Sequence, residues 1–185
     1  MAHLSATTDL GVKIGEEVKG LTTYPFTSTF CPVPERFFLD PYVVGYTFRL
    51  LSSFATVTGK KSKLSPSQLS EMNNIAMLTT VDANLAKGFV AELDRRSENL
   101  ERGKAEASLV ALAMFAPEKL DPKNPLVVEA YQLSPYKAQI ATELDRLMKG
   151  SDFAGQATSD TDQTGLVIAL SSLTIGRHCR DHYQV

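Results

Sequence analysis

The chain has no tryptophan, only two cysteines, almost no excess of one charge and no long uninterrupted apolar run. Each shortage closes off a class of protein. Cys31 and Cys179 are too few for a disulfide scaffold, so free thiols in a reducing compartment, the cytoplasm, are expected, with one bridge between them as the alternative. A net charge of -2 supplies no field that gathers nucleic acid or anionic lipid, so no nucleic-acid partner is expected. The most apolar stretch, Pro41 to Val57, is interrupted by Arg49 and falls short of the ~20 residues that a spanning helix needs. Met1 to Gly20 carries Asp9, Lys13, Glu16, Glu17 and Lys19 where a signal peptide would be apolar. Neither a membrane partner nor a targeting segment is expected.

Motifs that carry chemistry are also scarce. There is no G-x-S-x-G, no C-x-x-C and no dinucleotide fingerprint. Thr58-Gly59-Lys60-Lys61-Ser62 imitates part of a phosphate loop, but it lacks the upstream glycine and follows a helix rather than a strand. Asp160-Thr161-Asp162-Gln163-Thr164-Gly165 copies half a calcium loop, and Ser171 stands where the closing glutamate belongs. A helix cap explains those aspartates better.

Helix signals are plentiful. With 43% apolar and 22% charged residues, 185 residues suffice for one real core. Asp40-Pro41, Ser65-Pro66-Ser67-Gln68, Asn124-Pro125 and Ser134-Pro135 each place a capping side chain before a proline whose missing N–H costs nothing at a helix start. Tyr42 to Val57 is apolar nearly all round, the pattern of a central or interfacial helix. Leu85, Phe89, Leu93 and Leu100 form one stripe, and Glu92 with Arg96 and Glu98 with Arg102 read as exposed i,i+4 pairs. Thr79-Thr80-Val81-Asp82 is a possible break. Tyr136, Ile140, Leu144 and Leu147 form another stripe ending at Gly150, Ser151 to Thr164 reads as a mobile loop, and Gly165 to Tyr183 reads as a final helix, with a strand pair as the alternative.

The expected architecture is therefore all-α: a single-domain bundle of five or six helices over residues 37–185, preceded by an extended proline-rich arm over 1–36. The arm rests on Leu21 to Arg36, LTTYPFTSTFCPVPER, whose three prolines favour extended backbone and whose aromatics need cover. Arm and over-apolar helix together offer more apolar surface than a small bundle covers, which points to a homodimer or another protein partner.

Two constellations stand out as candidate sites. Tyr42, Tyr46 and Arg49 share a helix face, where a guanidinium beside two phenols would hold a carboxylate or phosphate; a structural ion pair with Glu35 or Asp40 is the plainer account of the arginine. His178 and His182 lie one turn apart, as a transition-metal pair would, but two histidines supply no third ligand, and cations completing a helix C-terminus explain them as well. No cofactor is expected apart from that metal alternative. The leading functional expectation is a non-catalytic interaction or regulatory protein acting as a homodimer; the alternatives are a small-molecule or anion binder near Arg49 and a metal-dependent, hydrolase-like enzyme using His178 and His182.

Overall fold

The computed structural model describes residues 2–135 and 161–185. Among them every regular element is helical, and no strand occurs. The helices are α1 (Ala2–Ser28), α2 (Pro41–Lys61), α3 (Pro66–Thr80), α4 (Ala86–Arg95), α5 (Glu98–Phe115), α6 (the helical run over 125–135), α7 (Thr161–Leu173) and α8 (Ile175–Tyr183). None is long and apolar enough to cross a membrane. The stripe from Tyr136 to Leu147 and most of the expected loop lie outside the described residues.

The all-α class holds; the helix number and the arm are corrected. Residues 2–28 are helical straight through Pro25, so only residues 29–36 keep the expected irregular path. A proline inside a helix removes one backbone bond and costs ~3 kcal/mol or more. Burial of one continuous stripe offsets that loss: Thr7, Ile14, Val18, Thr22 and Phe26 are each no more than 3% exposed, at spacings of seven, four, four and four. The stripe is hard to see in the sequence because two threonines stand in it, and Gly11 and Gly15 continue it. Those threonines are compatible with burial because a hydroxyl can bond inside its own helix, as Thr22 does by donating to the Val18 carbonyl at 2.8 Å.

The glycines set how closely α1 meets α3. A Cβ on Gly11 would lie 2.8 Å from the Ile75 Cβ, and one on Gly15 would lie 2.7 Å from the Ala76 carbonyl oxygen. Thr80 crosses the same seam, its hydroxyl donating to the Gly15 carbonyl at 3.1 Å. A second seam joins α2 to α5, where a Cβ on Gly45 would collide with the Leu100 carbonyl oxygen and one on Gly103 with that of Tyr42. Only hydrogen fits in place of a side chain at these crossings.

The start signals act as expected at three of the four prolines. Asp40 Oδ1 accepts from the amides of Tyr42 (2.9 Å) and Val43 (3.3 Å). Ser65 and Gln68 form a complete capping box. Asn124 Oδ1 accepts from the Leu126 amide at 3.0 Å and opens α6. Ser134 and Pro135 are instead a continuation of α6. The stripe from Leu85 to Leu100 is not one helix: Arg96 turns left-handed at φ 48°, and Ser97 starts α5 by accepting from the Leu100 amide at 3.3 Å. Gly165 to Tyr183 likewise divides, at Thr174, into α7 and α8, and α7 begins at Thr161, so Thr161–Gly165 are helix rather than calcium loop.

The chain groups into two compact units, Met1–Ser108 with Cys179–Val185, and Leu109–His178. This division does not follow the expected boundary at residue 36. In the first unit α2 is central, burying Tyr42, Val43, Val44, Tyr46, Leu50 and Phe54 among others. In the second, Gln163 of α7 donates to the carbonyls of Ala113 (3.0 Å) and Met114 (2.9 Å), two of those left open at the end of α5.

Candidate functional site

The sequence-derived candidates are rearranged by the fold. Tyr42 and Tyr46 do share a face, with ring centroids 6.0 Å apart and planes 25° off parallel. Both are buried, however, and Tyr42 Oη donates to Glu106 Oε2 at 2.6 Å. Burial, and then the Glu106 charge, push the Tyr42 phenol far above its ordinary range, so it stays a proton donor to that carboxylate. Arg102 lies over the same ring, 5.1 Å from its centroid. Arg49 is exposed instead of buried, and its Nε donates to Ser108 Oγ at 2.8 Å. Neither Glu35 nor Asp40 is its partner. The trio is thus a packed element of the α2–α5 seam, with the arginine outside it.

His178 and His182 fall one turn apart on α8, as their spacing requires, but in different environments: His178 is 6% exposed and His182 is exposed. Among the described residues no group of three or more histidine, cysteine, aspartate or glutamate side chains gathers as a metal site. Cys31 and Cys179 are both free thiols. Burial pushes the Cys179 thiol up to about 12, reinforced by the Asp40 charge and opposed by Arg180, so it is a protonated and unreactive core thiol.

What the structure brings together overlaps the segment that the sequence marked as an arm: the connection from residue 29 to residue 40. It is anchored from below by aromatic rings. Phe26, at the end of α1, meets Phe37 edge-on at 4.9 Å; both meet Tyr183 of α8, at 5.8 and 5.5 Å, and Phe37 meets Phe38 at 5.3 Å. Edge-to-face pairs of this kind add to the gain from burial itself. Tyr183 is further tied down because its Oη donates to Asp40 Oδ2 at 3.0 Å. Burial and the neighbouring Asp40 charge push that phenol well above its usual range, so the hydrogen remains on Tyr183. Asp40 therefore joins the α2 cap to the C-terminal residues of the chain.

The connection begins with a left-handed residue. Cys31 N donates to the Phe26 carbonyl at 2.9 Å and Phe30 N to that of Thr27 at 3.4 Å, the paired bonds of a Schellman closure, with Phe30 at φ 57°. Glycine ordinarily takes that position because a Cβ is penalised there by ~1–2 kcal/mol. Here it is a phenylalanine, and its side chain is 97% exposed. Val33 nearby is 38% exposed, with prolines on either side of it.

The other end of the connection lines a cleft. A volume of about 450 Å³ is bounded by Arg36 and Asp40 of the connection, Glu92 and Arg95 of α4, and Tyr183. Gly88 permits the approach of α4 to this segment, since a Cβ there would lie 2.8 Å from Leu39 Cδ2. Glu92 corrects an expectation: it is 8% exposed rather than on a solvated face, and it pairs with Arg95 at 2.7 Å, not with Arg96. Arg96 is diverted by its left-handed turn, and Arg102 covers Tyr42 rather than meeting Glu98. Arg36 was passed over in the sequence; it stands between Pro34 and the Phe37-Phe38 anchor, and its carbonyl accepts from the Leu39 amide at 2.9 Å. No protein-family model, no curated protein and no solved structure matches this chain.

Proposed function

We propose that this protein is a non-catalytic interaction protein that associates as a homodimer through the turn carrying Phe30 and Val33. One observation carries the reading. Phe30 combines a strained left-handed backbone with an almost wholly exposed ring, two features that each disfavour phenylalanine in an isolated chain. Covering that ring removes the second penalty, and a buried Phe side chain is worth ~1.5–3 kcal/mol. A second copy is the simplest cover, because two-fold pairs are the commonest assembly and bring like turns together. The edge-to-face anchor under the turn holds it in place before the partner arrives, which lowers the ordering cost of association. Two free thiols, one of them within this turn, favour a reducing location such as the cytoplasm.

Light scattering coupled to gel filtration tests this directly. The wild-type chain should elute at twice its chain mass and Phe30→Gly at the single mass. A wild-type monomer across the accessible concentration range, or a Phe30→Gly dimer as tight as wild type, would overturn the proposal.

A further inference from the structure

The turn that carries Phe30 continues into a short run without regular structure, residues 31–34. Its backbone donors can be followed one by one. Pro32 and Pro34 have no N–H to give, and the Cys31 N–H is given to the Phe26 carbonyl. Val33 alone in this run keeps an unspent N–H. Among the described residues neither that N–H nor the Val33 carbonyl has a partner. Because Pro34 follows it, Val33 is biased to extended backbone, in which a residue's N–H and C=O face the same side. A residue that offers a donor and an acceptor side by side is complementary to itself about a two-fold axis.

Water satisfies such groups in a lone chain; the side chains on either side are what direct them to a second copy. Phe30 stands three residues before Val33 and Arg36 three residues after it. The Phe30 ring is 97% exposed. Arg36 is exposed too, and its guanidinium makes no hydrogen bond or ion pair among the described residues. Antiparallel pairing centred on Val33 brings Arg36 of each copy level with Phe30 of the other. Resting on the homodimer proposed above, we infer that its two-fold axis passes between the two Val33 residues. Each Val33 N–H donates to the other copy's Val33 carbonyl, and each Arg36 guanidinium covers the other copy's Phe30 ring. Arginine suits that place, since its planar cation stacks on an aromatic face. The prolines on either side of Val33 keep the contact from running on into an open ladder, so it closes as a dimer.

Hydrogen exchange followed by nuclear magnetic resonance, above and below the concentration at which the wild-type chain dimerises, reads the backbone pair directly. The Val33 amide should exchange at least about tenfold more slowly in the dimer. This measurement needs no variant, so it decides even where a substitution disturbs the turn. In sedimentation equilibrium Val33→Pro should raise the dimer Kd about tenfold, because two backbone bonds are lost. Arg36→Gln should raise it about fivefold, because two ring contacts are lost. Circular dichroism should show both variants as helical as wild type. The homodimer and its geometry fail separately. A chain that is monomeric at every concentration overturns both. A dimer that Phe30→Gly dissolves, but whose Val33 amide exchanges as fast as in the monomer, overturns the geometry alone. So does a Kd indifferent to either Val33→Pro or Arg36→Gln.

Discussion

Phe26 and Phe30 stand one helical turn apart in sequence, and the protein uses them in opposite ways. Phe26 is 1% exposed, holds right-handed helix, and touches Phe37 and Tyr183; Phe30 is 97% exposed and left-handed. Residue type cannot distinguish them, since both are phenylalanine and each has a proline within two residues, Pro25 before Phe26 and Pro32 after Phe30. Their difference teaches that one residue type, four positions apart at the end of α1, is sealed in one place and bare in the other. Phe26 closes a core; Phe30 begins the connection that carries the proposed subunit contact.

The comparison breaks most readily on the buried side. Phe26→Ala removes the ring on which Phe37 and Tyr183 pack, and should cost ~3–5 kcal/mol in urea unfolding. That is a large share of the ~5–15 kcal/mol that holds an ordinary domain together. A loss under ~1 kcal/mol would mean that the aromatic anchor is not structural. Gly45→Ala should follow at ~1–3 kcal/mol, read from the same unfolding midpoint, because the added methyl meets the Leu100 carbonyl and backbone has nowhere to yield. Phe30→Gly should go the other way. Measured at dilutions where the chain is monomeric, it should be neutral or stabilising by up to ~1 kcal/mol, since glycine relieves the left-handed penalty but adds freedom to the unfolded chain. Destabilisation approaching that of Phe26→Ala would show that the ring is packed.

The thiols repeat the contrast with a smaller energy. Cys31 lies in the connection and is partly exposed, whereas Cys179 is buried and its thiol is raised to about 12. A thiol raised by folding binds its proton more tightly in the native state. Its contribution to stability is therefore complete below the ordinary thiol value near 9 and is lost as pH rises through about 12. At pH 8 a disulfide reagent should label Cys31 promptly and Cys179 only after denaturation. Removing the thiol in Cys179→Ala should flatten the alkaline decline in stability between those two values.

Much of the helical architecture was legible, and the reasons are local. Asp40-Pro41, the Ser65 capping box and Asn124-Pro125 act within four residues of themselves, so a reader of the chain sees all of each device. The break after Thr80 was marked too. Three things were not legible. α1 runs through Pro25 because a stripe of threonines, glycines and apolar residues outweighs one lost bond, and hydropathy does not score threonine or glycine as core. The halt at Arg96 was masked by a stripe that continues in register across it, although Ser97 followed by Glu98 and Glu101 in the first turn was a start signal. The fate of each charge was least legible of all. Arg49 read as buried and is exposed; Glu92 read as solvated and is buried. Helical spacing says which residues share a face, and nothing about what covers that face.

From the sequence alone came the helical class, three helix starts and the shared face of Tyr42 and Tyr46, because backbone capping and the 3.6-residue repeat depend only on near neighbours. Tertiary structure alone decided that Phe26 is sealed while Phe30 is bare, that Asp40 meets Tyr183 across 143 positions, and that Glu92 and Arg36 line one cleft. Those outcomes depend on which segments approach one another, and at the glycine seams that approach is set by the fit of one backbone against another.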